Sequence, residues 1–193
     1  MILKSFEINK IDVSKFKFFL IYGENEGLKK ELINKIKSSH IGKQTKYEES
    51  QIIENKFNFF SEIKNRSLFD EKKIYLIERC TEKISEIVLE IIENELDDLI
   101  IINCGTLEKK SKLRNLIEKS SNSVIIPTYK DNIQSLINLA KTFFLEKKIS
   151  ISYETLNLLI NRCNGDRGYL KKELEKISNY VSDKKVISLK EIS

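Results

Sequence analysis

Histidine is nearly missing from this chain: His40 is the only one in 193 residues. A zinc site or a histidine-based catalytic triad is therefore not expected. Cysteine is also scarce. Cys80, Cys104 and Cys163 are odd in number and far apart, with no metal-ligand pair among them, so they read as reduced structural thiols. No apolar run approaches the roughly 20 residues a membrane helix needs. Residues 1–6 lack a signal-peptide pattern, which leaves cytoplasmic residence and no membrane partner as the expectation. Arginine is rare. Only Arg66, Arg79, Arg114, Arg162 and Arg167 occur among 34 basic residues, so 29 are lysine. Lysine, isoleucine and asparagine share AT-rich codons, so the net charge of +5 is weak evidence for anionic partners. The remaining composition, 40% hydrophobic and 33% charged, suffices for a core and is too apolar for wholesale disorder.

Apolar runs with strand character alternate with helical patterns through the first two-thirds of the chain. Residues 16–22 (FKFFLIY) predict a buried strand, and 26–37 a helix with Leu32, Ile33 and Ile36 on one face. A weaker strand is expected over 44–49, then a helix over 51–63 with Ile53, Phe57 and Phe60 aligned. Residues 73–78 (KIYLIE) give a second strong strand, and Ile84, Ile87, Val88, Ile91 and Ile92 repeat at helical spacing. Residues 99–102 read as a strand, 110–119 as a helix and 123–127 (SVIIP) as the last strand. Continuous apolar strands between helices imply a parallel sheet covered on both faces.

After Pro127, the only proline, the pattern predicts helices alone. Ile133, Leu136, Ile137, Ala140, Phe143 and Phe144 form one stripe. Ser152 caps a second helix carrying Leu156, Leu159, Ile160 and Cys163. Leu170, Leu174, Ile177 and Val181 belong to a third, beyond a break at Gly165. The expected plan is an α/β domain of five strands over residues 1–128, then a small three-helix domain over 129–193.

A strand that runs into glycine and then a helix invites comparison with a phosphate-binding loop, GxxxxGK[ST]. In residues 23–30 (GENEGLKK), Gly23 and Lys29 fall in register, with Gly27 one place before the second glycine of the motif. Leu28 stands where that glycine lets backbone N–H groups approach the phosphates. Lys30 replaces the hydroxyl that ligates magnesium. Glu24 and Glu26 further repel a triphosphate. An ATPase of the AAA+ type would follow the strand at 73–78 with Asp-Glu, whereas Glu78-Arg79 stand here, and arginine stays protonated and cannot act as base. No cofactor is expected. The bland alternative makes 23–30 an ordinary strand–helix turn with Lys29 in a solvated first turn. Asn103 ends a strand where that class carries a polar sensor, or serves structurally. Residues 165–168 (GDRG) resemble a second sensor with Gly168 in the arginine's place, and read better as a helix start.

Leu68 and Phe69 sit side by side in the charged connector at 65–72 (NRSLFDEK) and fit neither flanking period. An exposed Leu-Phe pair suits insertion into a partner's pocket. The alternative is a loop anchored in its own core. Lys109, Lys110, Lys112 and Arg114 cluster about a helix start and are candidate DNA-phosphate contacts, against the alternative of a solvated basic face.

Four stretches, in order, resemble the delta subunits of bacterial DNA polymerase III clamp loaders: FLIYGENEGLKKEL, SLFDEKKIYLIERC, LIIINCGTLEKKSKLRNLIEK and ISISYETLNLLINRCNGDRGYLKKELEKI. The resemblance implies an AAA+-like domain with a degenerate nucleotide loop, followed by a helical lid-like domain. The family's next element, a helical collar domain, lies beyond what this sequence contains. The resemblance also implies a role. Ser67, Leu68 and Phe69 would enter a pocket on the beta sliding clamp and favour its opened ring for loading onto primed DNA. Neighbouring gamma/tau ATPase and delta-prime subunits would supply the ATP-driven step. Lys64 and Asn65 depart from the family pattern, which usually places Gln shortly before the Ser-Leu-Phe core. Two rival readings remain, an ATP-binding AAA+ ATPase and a general nucleic-acid-binding module.

Overall fold

The computed structural model describes residues 1–64, 72–94, 97–180 and the backbone of 186–187. The chain divides into two compact units. One comprises Met1–Glu24 with Lys29–Thr128, the other Asn25–Leu28 with Tyr129–Ser193.

The first unit holds a five-stranded parallel sheet. Its strands are β1 (Phe18–Gly23), β2 (Lys43–Glu48), β3 (Lys73–Cys80), β4 (Leu99–Cys104) and β5 (Ser123–Thr128), in the spatial order β2-β3-β4-β1-β5. The three central strands are continuous apolar runs because both faces are covered. All of β1 is buried. On one face Leu20, Tyr75, Ile77, Ile100 and Ile102 pack in one cluster with three sets of helical residues. These are Ile52, Phe59, Phe60 and Ile63 from α2 (Glu49–Glu54) and α3 (Lys56–Lys64), Ile87, Val88 and Ile91 from α4 (Ser85–Glu93), and Leu113 and Ile117 from α5 (Lys112–Lys119). On the other face Phe19 meets the His40 ring edge-on, just beyond α1 (Glu26–Ser38).

The two edges differ. β2 is charged and largely exposed (KQTKYE), a composition that discourages further strand pairing. At the other edge the N-terminus covers β5: Leu3 N donates to Ile125 O and Ile125 N to Met1 O, both at 2.9 Å. Pro127 sits in this outer strand, where a missing N–H costs no ladder bond on the open side.

Two differences from the sequence pattern stand out. The helix expected over 51–63 is two helices, broken at Asn55 (φ −126°, ψ 47°). The break shifts the phase. Ile52, Phe59, Phe60 and Ile63 face the core, while Ile53 and Phe57 are exposed, Phe57 at 84%. β3 also runs two residues longer than its apolar core, with a register shift between Ile77 and Cys80 that places Arg79 at φ 56°.

The second unit contains α6 (Ile133–Glu146), α7 (Tyr153–Arg162) and α8 (Arg167–Tyr180). Leu136, Ala140, Phe144, Leu156, Leu159, Ile160, Leu170 and Leu174 form its core. Ile133, expected in the stripe of α6, is 65% exposed instead, and Val181 lies outside the described residues. Ser152 caps α7 by accepting from Thr155 N at 3.1 Å. Gly165 takes φ 77° at the turn into α8, the conformation that favours glycine. The pattern predicted helices alone, yet β6 (Ser150–Ile151) pairs in parallel with β7 (Val186–Ile187). Two-residue strands carry no periodicity to read.

All three cysteines are free and buried. Cys80 and Cys104 are register partners on β3 and β4. The Cys104 thiol and burial push the Cys80 thiol far above its usual range. Burial, with Glu173 and Asp166 nearby, raises Cys163 to about 11. Such thiols are inert rather than nucleophilic. Among the described residues no helix is long and apolar enough to cross a membrane, and no group of three or more His, Cys, Asp or Glu is placed to hold a metal ion.

Candidate functional site

The loop after β1 lies at the carboxyl end of the sheet, where parallel α/β folds place their ligands. Gly23 leaves β1 at φ 134°, and a Cβ there would stand 2.1 Å from the Thr128 carbonyl oxygen. Its N–H donates to Gly105 O at 2.9 Å. The turn is thus tied to the ends of β4 and β5, and glycine is required for the backbone itself, whether or not a phosphate ever binds.

Lys29 decides what the loop can do. It is 3% exposed, and its ammonium donates to the Cys104 carbonyl at the end of β4, at 2.9 Å. In a working phosphate loop this lysine reaches the β- and γ-phosphates. Here it is directed to the protein's own backbone, on the core side of α1. The reading of Lys29 as a solvated first-turn residue is therefore incorrect. Lys30, in the place of the metal-binding hydroxyl, is exposed, as are Glu24 and Glu26.

The other half of the loop belongs to the helical unit. Asn25 caps the first turn of α1 by accepting from Leu28 N at 3.0 Å. Its amide donates to Tyr129 O at 3.0 Å and to Asp131 at 2.8 Å. Asp131 in turn pairs with Arg167 at 3.1 Å, both side chains being largely buried. A Cβ on Gly27 would lie 2.6 Å from Gly168 N, so the two glycines bring backbone against backbone. The GDRG segment is accordingly a helix start: Asp166 accepts from Tyr169 N at 2.8 Å, and Arg167 is engaged by Asp131. Nothing in the sequence pattern linked Asn25, Asp131 and Arg167, which are far apart along the chain.

At the second catalytic position of an ATPase, Glu78 pairs with Lys46 at 2.6 Å and Arg79 with Glu48 at 3.3 Å. Both are drawn to the outer strand β2. Asn103 is half-buried, and its Oδ1 has no hydrogen-bond partner.

The basic cluster separates into two kinds of residue. Lys109, Lys110 and Lys112 are exposed. Arg114 is half-buried, with its guanidinium 6.0 Å from the centre of the Tyr22 ring, so the structure does not bring it together with the lysines. Ser111 and Glu82 already satisfy N–H groups at the start of α5.

Ser67, Leu68 and Phe69 lie outside the described residues, as does Asn65. Lys64, the residue before that segment, pairs with Glu90 at 3.2 Å and lies over the Phe60 ring.

Neither a protein-family model nor a curated protein sequence matches the chain. Solved structures do. The Bacillus subtilis DNA clamp loader delta protein (YqeN) superposes with a TM-score of 0.63 at 13% identity, over 97% of this chain and 61% of that one. The fold is that of a clamp loader delta protein. The Thermotoga maritima RuvB Holliday junction branch migration motor follows the same path, with a TM-score of 0.59 at 10% identity, over 96% of this chain and 63% of that one. The chain therefore spans less than two-thirds of either structure. The architecture is AAA+-like: a five-stranded parallel sheet flanked by helices, with a helical unit after it.

Proposed function

We propose that this chain is the clamp-binding part of a clamp-loader delta subunit, which grips the beta sliding clamp and biases its ring toward the open form without binding or hydrolysing ATP. The observation that carries the reading is Lys29, buried against Cys104 O within a delta-like fold. A loop that keeps its glycine and lysine but turns the lysine inward retains the architecture of a nucleotide site without its function.

Leu68 and Phe69 form the wedge, with Ser67 before them, in the connector from α3 to β3. Their combined transfer into an apolar pocket is the binding term, and differential affinity for the open ring is what shifts its population. Neighbouring gamma/tau and delta-prime subunits, acting in the cytoplasm, would decide when this surface is presented. Lys109, Lys110 and Lys112 would meet DNA phosphates only as part of that assembly.

The test is retention of the sliding clamp on immobilised chain without nucleotide. The expected result is saturable retention, unchanged by magnesium and ATP. Retention that requires ATP would favour the ATPase reading. Tight, steeply salt-dependent DNA binding with no clamp retention would favour the nucleic-acid module.

A further inference from the structure

At the amino-terminal edge of the sheet, opposite the nucleotide loop, the first unit carries a groove of about 860 Å³, lined chiefly by apolar surface. Ile41 stands at its lip with 95% of its surface exposed. This exposure is built into a fixed turn. A Cβ on Gly42 would lie 2.5 Å from Lys72 O, and Lys43 N donates to the same oxygen at 2.9 Å. The backbone that presents Ile41 is thus held against the start of β3.

The rim is cationic. Lys17, Lys43, Lys72 and Lys73 all line the groove, and Asp97 is the one acidic residue among the lining side chains. Asp97 bridges Lys17 and Lys72, and hydrogen bonds from these two hold its carboxyl below the usual range. Lys73 pairs with Glu62 at 3.2 Å. Lys43 and Lys73 are direct register partners, and like charges opposed across a ladder are destabilising. Four ammonium groups against two carboxylates leave a local excess of two positive charges around an exposed isoleucine.

We infer that this groove is a second docking surface, which takes an acidic segment bearing an apolar side chain, on the same protein that accepts the Leu68-Phe69 wedge. The inference rests on the proposed function for the identity of that protein. Chain connectivity supports a shared partner: three peptide units separate Phe69 from Lys72 on the rim, a reach of at most about 11 Å. Charge complementarity selects an acidic occupant, and the Ile41 lip adds the apolar contact.

The experiment measures clamp affinity of the full chain carrying Ile41→Asp with Lys43→Glu, across roughly 50–200 mM salt. Both side chains are exposed, so the melting temperature serves as the control for folding. The expected result is at least a tenfold weaker affinity at low salt, with a flatter salt dependence than the unaltered chain. An affinity and salt dependence equal to the unaltered chain's would overturn the groove while leaving the wedge intact. Failure of the unaltered chain to hold the clamp would overturn both readings. Wild-type binding of a single-stranded oligonucleotide, lost in the variant while clamp affinity stays unchanged, would assign the groove to phosphate instead. A clamp peptide rich in Asp and Glu, competing at micromolar concentration against the unaltered chain but not against the variant, would identify the occupant.

Discussion

Replacing Leu68 and Phe69 together by alanine is expected to weaken clamp binding by roughly a hundred- to ten-thousandfold. Full burial of each side chain contributes about 1.5–3 kcal/mol, so the pair accounts for roughly 3–6 kcal/mol at the interface. Truncation removes that contact without leaving a buried polar group behind, so the loss appears mainly as faster dissociation. The melting temperature should stay unchanged, because the partner's pocket, not this protein's core, takes the two side chains. Full-length chain with both substitutions, measured by surface-binding kinetics and by calorimetric melting, gives both readouts. Unchanged affinity would reject the wedge. A melting temperature lowered by several degrees would place the pair in the protein's own core. Lys64 bears on the absolute affinity. It stands where clamp-binding peptides carry glutamine nearby, and it is engaged with Glu90 and the Phe60 ring.

Lys29→Ala is expected to destabilise the fold and leave nucleotide behaviour untouched. The substitution removes a buried aliphatic stem and orphans the Cys104 carbonyl. Losing a charge-assisted hydrogen bond costs about 1.5–3 kcal/mol, and the cavity adds to it. Releasing the ammonium to a neutral side chain offsets part of this, since burying a charge is itself unfavourable. The net expectation is about 2–4 kcal/mol, a fall in melting temperature of roughly 5–15 °C. Lys29→Met fills most of the volume and orphans only the carbonyl, so it should lose less than half as much. In a nucleotide-binding loop the order reverses: alanine at the lysine abolishes ATP binding and barely moves stability. Thermal melts of both variants, with and without magnesium and ATP, separate the two cases.

The sheet was legible because its strands are unbroken apolar runs, and burial on two faces is what such runs record. The helix boundaries were legible where side chains cap them, as at Ser152. The error over 51–63 came from Asn55, which resets the helical phase and sends Ile53 and Phe57 to the surface. A polar residue in mid-pattern gives no sign that it ends one helix and precedes another. The burial of Lys29 had a local signal. Positions 29, 32, 33 and 36 follow the i, i+3, i+4, i+7 spacing of a core-facing stripe, so Lys29 shares its face with Leu32, Ile33 and Ile36. Its charge argued for solvent, and phase was the better guide. Arg114 and the Asn25–Asp131–Arg167 network had no such signal. Their partners, Tyr22 among them, are distant along the chain and are brought near only by folding.

The account makes this chain a lever that works on a ring without fuel of its own. The most direct measurement is ring opening. A sliding clamp carrying a fluorophore and a quencher on opposite sides of one subunit interface is mixed with the unaltered chain in the absence of nucleotide. The predicted result is a fluorescence gain that saturates with added chain and is the same with magnesium and ATP present. A ring that stays closed at saturating chain, or one that opens only when ATP is supplied, would contradict the account.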